Sequence, residues 1–557
     1  MRRTLPEAIE SAATTGSGFV FVDEPERDIE GTFLGYAELR DRAARVGGAL
    51  RARGLRRGDR VLLVVAEPRD FLTAFAGASL AGLVPVPVYP PMKPGDLGGY
   101  LRQTVRIVAA SRAAAIVTSR RVKPFLGTVA PSVRFVAAME DLDGAPVRVE
   151  APAMDDVAFL QFTSGSTAEP KGVILTHGNL AANVEAIGTG LRIGPDDVGV
   201  SWLPLYHDMG LIGMALASMY HGTRTVILSP LSFLKRPSSW LRAISHHRGT
   251  VSFAPSFAYA LASRRGADGR GRLDLSSWRV AGCGAEPVSA AALDAFADRF
   301  APVGFRREAF LPCYGMAEHT LAVTFPSLDR GVATDGGTGL VSCGRAFPGH
   351  ALRIVNDGVS VEDGEVGEIE AAGPSVTPGY EGRPDLTAAA FRDGWLRTGD
   401  LGFLRDGELH VCGRSKDLII VNGRNHYPQD LEEAAAMVAA VRRGSVAAFS
   451  TGGFGLHRER VVIVAETRGD GEGAPEAIAR AVLQETGVKV DEVVVVPPHT
   501  IPKTSSGKVQ RARTRARHEA GDLVRRTAPL GLVILRHALA SRVGYLLALG
   551  RRLGRRR

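Results

Sequence analysis

The 557-residue chain is 45% hydrophobic and 23% charged, the balance of an ordinary globular protein with several structural units and ample length for a large core. Those proportions exclude wholesale disorder, a collagen-like repeat and a multispan membrane protein. The formal charge of +9 sits at one end: from Leu523 onward there are nine arginines and no acid, and taking those nine from the 68 basic residues leaves 59 against 59 acids in residues 1–522. The body therefore offers no nucleic-acid-binding surface by charge.

The elements predicted in chain order alternate. ELRDRAARVGGALRARGL (38–55) has apolar residues at helical spacing and stops at Gly54, a helix. RVLLVVAEP (60–68) is a short apolar run, a buried strand, and 71–91 reads as helix then strand closed by prolines. VRFVAAM (133–139) is another strand, and 155–180 runs strand, polar glycine loop, strand and then a helix capped near Thr176. TRTVILSP, GTVSFAPS and WRVAGCG continue as strands between helices; from 342 to 411, HALRIVNDG, GEIEAAGP and GELHVCG look like hairpin strands of a smaller β unit. Beyond about 415, LIIVNG, SVAAFS, RVVIVAET and EVVVVPP alternate with helices at 428–438 and 474–487. The pattern predicts an α/β fold with mostly parallel sheet over 1–413, a separate small α+β domain over 414–520 and a basic, partly apolar helical tail over 521–557.

The four cysteines (283, 313, 343, 412) form no C-x-x-C pair, so neither a zinc site nor a disulfide framework is indicated. The first residues, MRRTLPEAIESAATTG, contain acids and no apolar stretch and do not read as a secretory signal, which points to a cytoplasmic setting.

Lysine is scarce: eight lysines stand against sixty arginines, and Lys171, Lys416, Lys503 and Lys508 fall in three glycine-bearing segments, TSGSTAEPKG, GRSKD and IPKTSSGK. A compact ammonium on a flexible stem reaches a single phosphate oxygen where a planar guanidinium fits poorly, so these segments are read as phosphate-handling. In the first of them Thr163, Ser164, Gly165, Ser166 and Thr167 crowd a turn between two strands. Its amides and hydroxyls can cradle a polyphosphate with Lys171 as counter-charge. The spacing is not G-x-x-x-x-G-K-[ST], which excludes a P-loop.

Together with this turn, six further segments occur in order: SWLPLYHDMGLIG (201–213), GAEPVS (284–289), YGMAEHTL (314–321), WLRTGDLGFL (395–404), GRSKDLIIVNGRNHYPQDLE (413–432) and IPKTSSGKVQR (501–511). In these the chain resembles the adenylate-forming superfamily of acyl-CoA synthetases, luciferases and peptide-synthetase adenylation domains over about residues 20–515. LYHDMGLIG, YGMAEHTL, LVSCGR and GRNHYPQDLE are most similar to fatty acyl-AMP ligases.

The resemblance implies a large N-terminal domain of two α/β subdomains plus a small β unit, with a mobile C-terminal lid. It implies that a fatty carboxylate attacks the α-phosphate of ATP in the presence of Mg²⁺, and that the acyl group passes to the phosphopantetheine thiol of an acyl carrier protein. Lys171 and Thr163 to Thr167 would grip the β- and γ-phosphates, with Glu318 and Thr167 holding Mg²⁺. Tyr314, Gly315 and Met316 would flank adenine, with Gly284, Ala285 and Glu286 behind it. Asp400 would hold the ribose and Arg414 the ribose or α-phosphate. Lys508 would swing in to bridge carboxylate and phosphate, Lys416 would be the hinge, and His207 would stand by the acyl carboxylate. The acyl chain would lie among residues 205–220 and 253–262.

Fatty acyl-AMP ligases carry an extra segment before SCGR, and here 321–340 is short, so a fatty acyl-CoA ligase, with CoA as acceptor, stays open. A catalytically silent, membrane-recruited binding protein is the reading from another class; the presence of Lys508, Lys171 and Glu318 argues for activity. The tail 523–557 is apolar between 530 and 550 yet holds Arg536, His537 and Arg542. That fits a peripheral membrane contact, a docking helix for an acidic carrier, or a helix packed on the body.

Overall fold

The computed structural model describes residues 2–91, 97–148, 151–163, 170–266, 273–421, 424–452, 459–469, 471–504, 508–523 and 541. Two parallel-rich sheets form the large lobe. One has seven strands, whose parallel run is Phe310–Pro312, Val280–Cys283, Val251–Ala254, Val198–Ser201, Arg224–Leu228 and Gly18–Val22, with Thr32–Gly35 antiparallel at the edge. The other is all parallel, in the order Val84–Pro87, Arg60–Val64, Ala115–Thr118, Phe135–Ala138. Strands buried on both faces explain the unbroken apolar runs, since helices must cover each side.

Between these sheets Val157–Thr163 pairs antiparallel with Lys171–Thr176, as the sequence predicts around the polar loop. The following helix His177–Gly190 is capped where expected: Thr176 Oγ1 accepts the Asn179 amide at 3.1 Å. A third, antiparallel sheet carries Ala351–Asn356, Gly367–Ala372, Trp395–Arg405 and Glu408–Arg414, the predicted small β unit. Residues 419–488 bury a core of their own around Ile419, Leu431, Ile463 and Ile478. There Val441–Thr451 pairs antiparallel with Arg460–Thr467, which pairs parallel with Glu492–Val496.

After His207 the backbone forms a π-helix, Leu211–Leu216, with wider turns than an α-helix. The segments expected to line an acyl pocket are largely buried here, Leu205, Met209, Ile212, Met214, Ala258 and Tyr259 among them. A cavity of about 30 Å³ lies behind the π-helix against Ile187, Gly213, Met214 and Val251. No helix among the described residues is long and apolar enough to cross a membrane. Of the tail, Leu523 packs on the small lobe, and Ser541 is buried against the large one. The Ser541 hydroxyl accepts the Gly127 amide at 2.7 Å and donates to the Pro124 carbonyl. The rest of 524–557 lies outside the described residues.

Candidate active site

Three groups of predicted side chains converge. The first is built on the 11-residue strand Trp395–Arg405, whose pairing with Glu408–Arg414 shifts register at Leu401 and Gly402. The bulge follows Asp400, which is 6% exposed. Tyr314 Oη donates to Asp400 Oδ2 at 2.7 Å, and Arg414 Nε donates to Oδ1 at 3.1 Å. Burial, then the Asp400 charge, pushes the Tyr314 phenol well above its ordinary value, while Asp400 raises the Arg414 guanidinium above its own. Both are therefore donors throughout the working range. A carboxylate offers about four lone-pair positions, and these two bonds use two of them.

Backbone space around Tyr314 is tight. A Cβ on Gly315 would stand 2.1 Å from the Leu321 carbonyl oxygen, and one on Gly284 would stand 2.7 Å from Cys313 Sγ. Ala285 has φ +68°, a left-handed conformation that costs a non-glycine residue and is typical of functional loops. Met316 packs on the same small core as Tyr314.

The second group surrounds the mouth of the polar turn. Thr163 ends its strand and Lys171 begins the next; Ser164, Gly165, Ser166 and Thr167 lie outside the described residues. Lys171 Nζ lies 5.3 Å from the centroid of the Tyr380 ring, and Tyr380 Oη donates to Glu318 Oε1 at 2.8 Å. Burial, and then the neighbouring Arg414 and Lys171 charges, lower the Lys416 ammonium below its usual value, with Asp417 and Asp400 pulling the other way. The predicted hinge lysine thus belongs to the same field of positive charge.

The third group forms where the small lobe enters. The Lys508 amide donates to Thr504 Oγ1 at 3.0 Å, and Lys503 Nζ donates to the Gly444 carbonyl at 2.6 Å. Burial pushes the Lys508 ammonium below the ordinary lysine value; Asp208 and Glu286 pull it back, Arg414 opposes them, and Asp400 adds a further pull. Three charged groups of the predicted site, Glu286, Arg414 and Asp400, thus act on it together with Asp208. Glu286 accepts the Phe257 amide at 2.7 Å, and burial lifts its carboxyl above the usual range. Burial also raises Asp208, but His207 and Lys508 outweigh it and hold that carboxylate low.

His207 Nδ1 lies 2.7 Å from Asp208 Oδ1, and the Met209 amide donates to the same oxygen at 2.7 Å. A proton held at Nδ1 leaves Nε2 as an acceptor. Asp208 and Tyr380 were not singled out from the sequence. The first stood within the quoted LYHDMG segment; the second sat in a proline- and glycine-rich stretch that reads as loop.

Residues 10–381 match the family described as AMP-binding enzyme. The chain belongs to that family. Residues 416–527 of this AMP-binding enzyme match the Disco-interacting protein 2-like AMP domain. A Caulobacter vibrioides protein bearing an acyl-CoA synthetase name is 35% identical over 552 residues, spanning 93% of this chain and 96% of its own. The medium-chain-fatty-acid–[acyl-carrier-protein] ligase JamA of Moorena producens is 33% identical over 556 residues, 91% and 93% of the two chains. A solved fatty acyl-adenylate ligase, from a study of the E. coli and L. pneumophila enzymes, superposes with TM-score 0.87 at 37% identity, covering 93% and 98%. The adenylate-forming fold, ATP as co-substrate and ligase chemistry follow for this AMP-binding enzyme.

Proposed function

We propose that the protein converts a medium- or long-chain fatty acid and ATP to acyl-AMP and pyrophosphate, then passes the acyl group to the phosphopantetheine thiol of an acyl carrier protein. The observation that carries the first step is the position of Lys508, presented by the small lobe among Asp208, Glu286, Arg414 and Asp400 of the large lobe and the connecting segment. A fatty carboxylate and an α-phosphate repel one another, and an ammonium between them offsets that repulsion most as the new bond forms. Asp400 holds the ribose, Tyr314 the adenine, and Lys171 with the polar turn the leaving pyrophosphate. His207 would stand by the acyl carboxylate, its ring held at Nδ1 by Asp208.

Glu318 and Thr167 would hold Mg²⁺. Glu318 fits that role: Oε1 takes the Tyr380 hydroxyl, and Oε2 has no hydrogen-bond partner among the described residues. Nor do the described residues hold a cluster of three or more acidic, His or Cys side chains for a metal. A single carboxylate sharing the ion with phosphate oxygens is how Mg²⁺ is ordinarily bound beside a nucleotide, where it neutralises phosphate charge. The large lobe over 1–413 and the lid over 414–520 move about the Arg414–Lys416 link, which brings Lys508 in for adenylation and withdraws it for transfer.

The acceptor rests on the JamA likeness and on the carrier-type wording of the motifs, while the short 321–340 stretch favours CoA. Supplying CoA and carrier protein separately after ATP–pyrophosphate exchange over a fatty-acid series decides it: acyl-carrier thioester is expected, and robust acyl-CoA without carrier would overturn the assignment. For the tail, Ser541 supports the packed reading. Deleting 523–557 is expected to lower the melting temperature and to leave liposome sedimentation unchanged.

A pH dependence follows from the charges. A lysine whose pKa is lowered loses its proton earlier on the alkaline side, so adenylation falls off below the ordinary lysine pKa. Asp208 raises that pKa; Asp208→Asn is therefore expected to move the alkaline limb of pyrophosphate exchange to lower pH. An unmoved limb would show that another group sets it.

A further inference from the structure

We propose that Tyr380 is the positioning residue that ties the metal-binding carboxylate to the phosphate-turn lysine, its hydroxyl setting Glu318 and its ring setting Lys171. The inference rests on the proposed roles of those two residues. Tyr380 is 9% exposed, with its hydroxyl donating to Glu318 Oε1 at 2.8 Å and the Lys171 ammonium 5.3 Å from the ring centroid. An ammonium within ~6 Å of a ring face is attracted by the ring quadrupole.

The backbone makes this more than a side-chain coincidence. Tyr380 pairs antiparallel with Val173, the Ile174 amide donates to the Gly379 carbonyl at 3.0 Å, and the Glu381 amide donates to the Gly172 carbonyl at 2.8 Å. The same segment reaches the other partner, since the Thr377 amide donates to the Glu318 carbonyl at 2.8 Å. Glu381 is pinned to Arg60 at 2.9 Å, which anchors the segment to the second sheet of the large lobe. The strand that leaves the phosphate turn and the turn that carries Glu318 are thus hydrogen-bonded to one short stretch, and Tyr380 is its only side chain that meets both functional groups among the described residues. At 2.8 Å from Glu318 Oε1 the phenol O–H donates to the carboxylate, and its ring face is what the ammonium meets.

The two jobs separate by substitution. Tyr380→Phe keeps the ring and removes the donor; Tyr380→Leu removes both. Equilibrium ATP affinity is measured by displacement of a fluorescent ATP analogue from the full-length protein, in EDTA and in Mg²⁺. Tyr380→Phe is expected to keep the Mg²⁺-free affinity within about twofold and to shrink the affinity gained on adding Mg²⁺ by roughly tenfold, the worth of a hydrogen bond to a charged group. Tyr380→Leu should in addition lose roughly threefold of the Mg²⁺-free affinity.

Combining Tyr380→Phe with Glu318→Gln should cost no more than Glu318→Gln alone, because the hydroxyl acts through that carboxylate. A merely structural tyrosine would weaken both conditions equally and would add to Glu318→Gln. A full Mg²⁺ gain in Tyr380→Phe, or additive losses, overturns the proposal while leaving the ligand roles of Glu318 and Lys171 standing. An intact Mg²⁺ gain in Glu318→Gln itself would instead sink the metal-carboxylate reading, and the Tyr380 proposal with it. Melting temperatures identify any variant that fails to fold, and Tyr380→Phe alone then decides.

Discussion

Lys508→Ala slows acyl-adenylate formation by roughly two to three orders of magnitude while ATP binding stays within a few-fold: this is the expected result of ATP–pyrophosphate exchange and nucleotide titration run side by side. The asymmetry comes from where the ammonium stands. Its neighbours are the carboxylates of Asp208 and Glu286 and, on the nucleotide side, Arg414 and Asp400. On the proposed reading the triphosphate is gripped by Lys171 and the polar turn rather than by this ammonium. Its charge matters most when two anions are forced together, which is a transition-state interaction. Lys508→Arg is expected to recover little, since a rigid planar fork replaces a point charge that must fit between two reacting groups. In a chain with sixty arginines and eight lysines, a lysine retained at this place is itself consistent with that demand. Near-normal pyrophosphate release by Lys508→Ala would refute the role.

What could be read in advance was local. The strand–turn–strand around 163–171, the Thr176 cap and the hairpins of the small β unit follow from residue period and turn chemistry, and the structure has them. The Gly-Asp pair in RTGDLG fits a turn as well as a strand, and the structure continues the strand through Asp400 with a bulge after it. What was not legible was pairing at long range. Tyr380 meets Glu318 across 62 positions, and nothing in GPSVTPGYEG announces a tyrosine that bonds that carboxylate. Arg511, three positions past Lys508, grips Glu432 at 2.6 Å and 2.7 Å and reaches Asp417, next to Lys416, at 3.4 Å. In the sequence it is one arginine in a basic run. Such partners are chosen by how the sheets are laid together, a tertiary fact that no local period encodes. The π-helix after His207 belongs to the same class, for its apolar run fits an α-helix equally well.

Asp400→Asn should give the opposite kinetic signature to Lys508→Ala. The carboxylate already accepts Tyr314 Oη at Oδ2 and Arg414 Nε at Oδ1. On the proposed reading its remaining lone pairs are the acceptors for both ribose hydroxyls. An amide keeps one acceptor oxygen and turns a donor toward either the phenol or the guanidinium, each of which is itself a donor there. Two charge-assisted hydrogen bonds to the nucleotide are lost or weakened, and Arg414 is left partly unpaired, which together correspond to roughly a hundredfold in nucleotide affinity. The ribose does not change along the reaction coordinate, so that contact binds ground state and transition state alike. The loss therefore falls on the KM for ATP and leaves kcat within a few-fold. Steady-state pyrophosphate release against ATP concentration separates the cases: a raised KM at nearly constant kcat supports Asp400 as the ribose acceptor. A lowered kcat at constant KM would place it in the chemistry, acting through Arg414 on the reacting phosphate.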